Sequence, residues 1–228
     1  MHDSATDGSD TARAELAAAD GPPELRFPYD ATVLTEHPLR TERLVLHPLE
    51  ASDAADVYEY QRIPEVLRYL PWPERDRTEG YAHTAKRAAG RLLAVDGDFV
   101  VLAATLPGTR SVDDPRRDRV IGDFMVRVSS AQHAQLELGW VLHPDFQGVG
   151  YAAEAAGAVL DFVFETLVPH RVQAFLDARN GASAALCERL GMRREAHGLK
   201  DYWSKGEWTD SFRYAVLGTD FFSRPADL

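Results

Sequence analysis

The segment that most limits how this chain can fold runs from about residue 136 to residue 177. Residues 136–142 are expected to form a strand, Gly148 and Gly150 break it with a loop, and residues 151–167 carry apolar side chains at Ala156, Val159, Leu160, Val163, Phe164 and Leu167. That spacing is helical, and Pro169 stops it. Residues 171–177 then alternate as a second strand. Two glycines let the backbone turn with its N–H groups in one concavity, and a helix start adds unpaired N–H groups and a positive dipole end. Such a loop suits a pyrophosphate, and a plain tight turn is the other reading of the same two glycines.

The rest of the chain supplies strands on one side of this unit and a helix with a hairpin on the other. Residues 43–49 read as a strand, Ser52-Asp53 as a helix cap, and residues 54–61, 64–69 and 78–93 as helices. Residues 98–106 and 120–128 are apolar and β-branched, with an exposed connection over 108–119. Beyond the second strand, Asn180 caps a helix through Leu190 that ends at Gly191. Residues 202–216 are expected to form a hairpin turning at Lys205-Gly206.

Ahead of this body, residues 1–37 hold eight acids against Arg13 and Arg26, together with Pro22, Pro23 and Pro28. Only the patch from Leu25 to Tyr29 is apolar, so this stretch is expected to be an acidic, mobile tail. Residues 38–222 are expected to be a single domain and 223–228 its C-terminal end. Much of the net charge of −11 lies on the tail, and neither part has the basic surface that nucleic-acid binding needs. With no long apolar run, no secretory signal and Cys187 as the one cysteine, a cytoplasmic protein without disulfides or membrane contact is expected. Scattered histidines show no metal-ligand spacing, so no metal is expected.

Two motifs together carry a resemblance. Gln147-Gly148-Val149-Gly150-Tyr151-Ala152 is similar to the Q/R-x-x-G-x-G/A acetyl-coenzyme A loop of the GNAT N-acetyltransferase superfamily. The run from Asn180 and Ser183 to Glu188-Arg189-Leu190-Gly191-Met192 resembles that superfamily's N-x-x-S helix, in the right order and at the right distance. Leu39-Arg40-Thr41-Glu42-Arg43-Leu44 and Gly206-Glu207-Trp208-Thr209-Asp210 resemble its ribosomal-protein N-terminal acetyltransferase branch.

The resemblance implies an α+β fold: a twisted mixed sheet of six to seven strands whose central strands splay into a V-shaped cleft, flanked by helices. Acetyl-CoA would be the acetyl donor. Its pantetheine would pair with the backbone of Trp140, Val141 and Leu142, its pyrophosphate would rest on Gln147, Gly148, Val149, Gly150, Tyr151, Ala152 and Ala153, and Asn180 and Ser183 would line the far side. An N–H near Val141 or Leu142 would face the developing oxyanion. The acetyl group would pass directly to a primary amine of a protein N-terminus or a small molecule; the oligomeric state is left open by the sequence, a homodimer being one option. Trp72, Tyr81, Tyr202, Trp203 and Trp208 are candidates for the acceptor wall, the last two as direct contacts.

The chain departs from the family pattern at two positions. A frequent acid, a tyrosine, is replaced by Cys187, whose ordinary reading is a small buried residue, and a strand glutamate found in some relatives is replaced by Phe175. Glu137 becomes the candidate base. A catalytically inactive acetyl-CoA-binding module is the rival reading.

Overall fold

The computed structural model describes residues 11–14 and 24–223. Residues 11–14 form one helical turn (α1). The body runs β1 (Tyr29–Asp30), α2 (Val33–Glu36), β2 (Leu39–Arg40), β3 (Val45–Pro48), α3 (Ala54–Gln61), α4 (Pro64–Leu67) and α5 (Arg77–Ala88). It continues through β4 (Leu92–Leu93), β5 (Phe99–Arg110), β6 (Asp118–Ser130), β7 (Gln135–Leu142), α6 (Tyr151–Phe162) and β8 (Arg171–Asp177). The last elements are α7 (Gly181–Arg189), β9 (Arg193–Ser204), β10 (Glu207–Leu217) and α8 (Gly218–Phe221). Eight strands form the main sheet in the order β2-β3-β5-β6-β7-β8-β10-β9, and β1 pairs with β4 apart from it. The sheet has one strand more than the upper expectation, because Leu39–Arg40 pairs with β3 as a short edge strand, while residues 193–201 lengthen the first strand of the expected hairpin.

Every pairing in the main sheet is antiparallel except β7 with β8. A parallel pair needs a crossover, which α6 provides. That helix buries Ala155, Ala156, Val159, Leu160 and Phe162, passes into a π-turn at Val163–Leu167, and ends at Val168 in the left-handed region. Alternation along β7 divides the interior. Leu136, Leu138 and Leu142 join α6 and α7 in one core, while Val141 packs with Val57, Tyr60 and Ala88 of the α3–α5 layer in another.

Several boundaries differ from expectation for local reasons. The third long helix starts at Arg77 because Asp76 and Glu79 form a reciprocal cap, Glu79 N–H to Asp76 Oδ1 at 2.9 Å and Asp76 N–H to Glu79 Oε2 at 3.1 Å. The connection between β5 and β6 is shorter than 108–119, since the strands pair out to Arg110 and Asp118. Lys205 and Gly206 both take positive φ, 49° and 85°, as a two-residue hairpin between Ser204 and Glu207 requires.

The expected tail is corrected over residues 11–14, a helical turn with Ala12 buried, and over residues 24–37. Leu25, Phe27 and Tyr29 pack on the main core, Ala31 and Leu34 are buried in it, and Arg26 N–H bonds Leu167 O at 3.0 Å. Three apolar side chains spaced two apart, followed by Leu34 on α2, were enough to fold the segment onto α6. The remainder of the expected tail, 1–10 and 15–23, and the last five residues lie outside the described residues. Truncating Leu34, which is 5% exposed, leaves a void under a short helix. Leu34→Ala is expected to cost about 2 kcal/mol and lower Tm by about 4–8 °C, read by thermal denaturation.

Candidate functional site

Gly150 caps α6 with φ 93° and Gly148 has φ 78°, and a side chain added at Gly148 would meet open space. Among the described residues, no backbone N–H from Gly148 to Ala153 donates a hydrogen bond. These unpaired donors at the positive end of a helix form a cradle for an anion.

Side chains far away in sequence hold the cradle in place. Glu154 Oε1 accepts from Thr41 Oγ1 at 2.5 Å and from Arg43 N–H at 2.8 Å, and its Oε2 accepts from Arg43 Nε at 2.6 Å. Burial alone would raise the Glu154 carboxyl, but these bonds outweigh it and hold it below the usual range. Arg43 also bonds Val149 O at 3.0 Å and lies 4.4 Å from the Tyr151 ring centre. Gln147 folds back, its Nε2 donating to Leu142 O at 2.9 Å. It staples the loop to the strand end, whereas the sequence suggested direct contact with the donor. His143 is buried, its Nδ1 accepts the Asp145 N–H at 3.2 Å, and burial followed by Arg119 lowers its pKa, so it is a turn-capping residue.

Strands β7 and β8 pair only at Gln135–Arg171, Leu136–Val172 and Glu137–Gln173, although both continue further. From Leu138 to Leu142, β7 keeps β6 on one side and has no strand partner on the other. Here β8 departs with β10, to which it pairs along its whole length. A cavity of about 750 Å³ opens at this divergence, lined by β7, β8, the α4–α5 connection and the β9–β10 hairpin. Across the gap, Trp140 Nε1 donates to Ser183 Oγ at 3.2 Å, and Asn180 Oδ1 accepts Ser183 N–H at 3.0 Å. Trp140, Val141, Asn180 and Ser183 all line the cavity, so one site gathers residues from both motifs.

One wall rests on a buried charge pair. Asp123 of β6 bonds Arg87 of α5 and accepts Tyr60 Oη at 2.6 Å, and Arg87 is 8% exposed. Burial, then the Asp123 charge, pushes Tyr60 well above the ordinary phenol range, so it stays a donor. The Arg87 guanidinium lies 4.9 Å from the Trp72 ring centre, and His83 meets Trp72 edge-on at 5.1 Å. Burial, then Arg75 and Arg87, lower the His83 pKa to about 4, which leaves the ring neutral against Trp72. No spacing in the sequence ties Arg87 to Asp123 or Tyr60, so this network was not foreseen.

Glu137 lines the cavity on the α3–α5 side of the sheet, its Oε2 accepting from Arg127 Nη2 at 2.5 Å. The aromatic candidates divide. Trp72 and Tyr202 line the cavity, whereas Tyr81 packs edge-on against Tyr58 and Trp203 and Trp208 stand outside, each 57% exposed. Trp203 and Trp208 thus stand apart from the cavity that Trp72 and Tyr202 line, and the reason is strand alternation. Trp208 faces Trp203 in register on one side of the hairpin, their rings 5.3 Å apart, and Thr209 faces Tyr202 on the side that lines the cavity. Phe175 also faces the cavity, 5.6 Å edge-on from Tyr202. Cys187 is fully buried and burial pushes its thiol up to about 12, in keeping with a core residue. Among the described residues no cluster could hold a metal ion, and no helix is long and apolar enough to cross a membrane.

Residues 43–193 match the acetyltransferase (GNAT) domain family. The chain is 31% identical over 183 residues to an uncharacterized N-acetyltransferase, YnaD, of Bacillus subtilis, covering 78% of this chain and 96% of that one. It is 29% identical over 188 residues to a [ribosomal protein uS5]-alanine N-acetyltransferase of Escherichia coli, covering 80% of this chain and 92% of that one. The crystal structure of a GNAT-family acetyltransferase from Bacillus anthracis superimposes with a TM-score of 0.67 at 27% identity, over 79% of this chain and 98% of that one. The cradle of unpaired N–H groups, the opened strand edge beside it and these likenesses agree: the chain belongs to the GNAT superfamily and is an acyltransferase that uses acetyl-CoA as its acetyl donor.

Proposed function

We propose that the chain acetylates a primary amine held in the cavity between β7, β8, α5 and the β9–β10 hairpin, with the donor lying along the open edge of β7. The observation that carries this reading is the continuity of three features: unpaired N–H groups at residues 148–153, the partnerless edge at residues 138–142, and the cavity that opens where that edge begins. Backbone donors would bind the pyrophosphate at Gly148 to Ala153 and the pantetheine amides at Trp140 to Leu142. Asn180 and Ser183 would close the far side. Arg43 and Glu154 would keep the loop shaped for the donor.

The amine nitrogen attacks the thioester carbonyl carbon, the C–N bond forms as the C–S bond breaks, and the sulfur departs as the thiolate of CoA, which takes a proton from water. One amine proton must leave. An α-amine of pKa about 7.7–8.0 is often neutral near pH 7, whereas a lysine-like amine of about 10.4 is not. Glu137, aimed into the cavity from β7, is the proposed acceptor of that proton through water. Arg127 fixes its carboxylate in that direction.

The test measures thiol release from acetyl-CoA with a panel of amines. Glu137→Gln keeps the bond to Arg127 and is expected to lower kcat about 100-fold with donor affinity unchanged. Equal rates for the two proteins at saturating acceptor would take Glu137 out of the mechanism. Donor binding without thiol release for any amine would overturn the placement of an acceptor in this cavity.

A further inference from the structure

The charges around the cavity are nearly all spoken for. Asp123 is bonded by Arg87 and Tyr60, Glu137 by Arg127 at 2.5 Å, and Asp177 by Arg179 at 2.7 Å. Asp210 accepts Lys200 N–H at 2.9 Å and faces His197 Nε2 at 3.2 Å. A second or third ammonium group of a polyamine would therefore meet carboxylates that already have partners. The cation left over is Arg213 of β10, which forms no hydrogen bond or ion pair among the described residues. Glu195, whose carboxyl is lowered chiefly by Arg171 and in part by the Arg213 charge, gives both oxygens to Arg171.

Arg213 has a definite place in the cavity. It stands opposite Phe175 in the β8–β10 register, next to the Ser211–Asp177 pair, on the face that also presents Tyr202 and Thr209. Phe175 is 44% and Tyr202 39% exposed, so an apolar wall and a guanidinium with free donors lie side by side. A planar guanidinium takes a carboxylate through two parallel N–H bonds, a match that an ammonium ion or a neutral amide does not make.

We infer that Arg213 selects the acceptor, and that the acceptor class is an amine that also carries a carboxylate, with linear polyamines disfavoured. This rests on the reading of the cavity as the acceptor site. The carboxylate could belong to a free amino acid or to an acidic side chain close to a peptide's α-amine, and the two sources are separated by choice of probe.

The experiment compares kcat/KM for two peptides of equal length, Ala-Glu-Phe amide and Ala-Gln-Phe amide, which share their N-terminal residue, with free phenylalanine, phenylalaninamide and spermidine. For the wild type, the carboxylate member of one or both matched pairs is expected to be preferred about tenfold, with spermidine the poorest acceptor. A preference confined to phenylalanine identifies a free amino acid, and one confined to the glutamate peptide a peptide side chain. Arg213→Gln should abolish the preference through KM, leaving kcat and the rate with neutral acceptors within about twofold, and Arg213→Lys should keep part of it. Because selectivity is compared between proteins, differences in amine pKa cancel. Equal loss on charged and neutral acceptors, an unchanged preference in the glutamine variant, or spermidine as the best substrate would overturn the inference while leaving acetyl transfer in this cavity intact. Absence of thiol release with every amine would instead fall on the acceptor-site reading and take this inference with it.

Discussion

Gly150→Asp is expected to raise the dissociation constant for acetyl-CoA about 1000-fold, equivalent to losing two charge-assisted N–H contacts and adding repulsion. Gly150 sits at φ 93°, where an L side chain is strained, and its added Cβ would approach Arg43 Nη2 to 3.2 Å. The new carboxylate would occupy the concavity that the unpaired N–H groups of residues 148–153 form, and would draw on the Arg43 charge now shared with Glu154. Gly150→Ala separates strain from charge and should weaken binding far less. Calorimetry gives the affinities, and the gain in Tm at saturating CoA gives an independent reading, since a ligand at 100 times its Kd stabilises by about 2.7 kcal/mol. A folded Gly150→Asp protein with wild-type affinity would remove the loop from the donor site.

Asp123→Ala should be the most damaging single change to stability at the site, at about 3–5 kcal/mol. It leaves the Arg87 guanidinium, 8% exposed, without its counter-charge, and Tyr60 Oη, fully buried, without its acceptor. The expected fall in Tm is about 6–20 °C. Removing both charges in Asp123→Ala/Arg87→Met should recover most of that loss, because an apolar pair avoids the desolvation that a lone buried ion suffers. Function should not return with stability. Trp72 rests on Arg87 at 4.9 Å, so the double variant keeps a raised KM for the acceptor with donor affinity near normal. A single variant with unchanged Tm would show that Asp123 and Arg87 do not depend on one another.

What could be read from the chain divides along the range of the interactions concerned. Strand β7, the glycine loop and α6 were legible because each depends on neighbours within a few residues: helical spacing at Ala156, Val159 and Leu160, two glycines where φ must be positive, and Pro169 after the last turn. Asn180 and Ser183 were legible for the same reason, since the cap that joins them spans three residues. Edge strand β9 was less so. Nearly all its residues over 193–204 are exposed, which leaves no apolar alternation to detect. The apolar patch at Leu25 to Tyr29 was visible, but its burial follows only from the place of α6 beside it.

The sequence by itself determined the family and the strand, glycine loop and helix at residues 136–162, because these rest on local backbone geometry and short spacings. Tertiary structure alone decided which side chains share the cavity. Alternation on paired strands sends Tyr202 and Thr209 inward and Trp203 and Trp208 outward, which depends on register across the hairpin. The ion pairs of Arg43 with Glu154 and of Arg87 with Asp123 join residues remote in sequence. Charge pairs of that kind carry no periodic signal, since their energy comes from burial and proximity that exist only once the sheet is assembled.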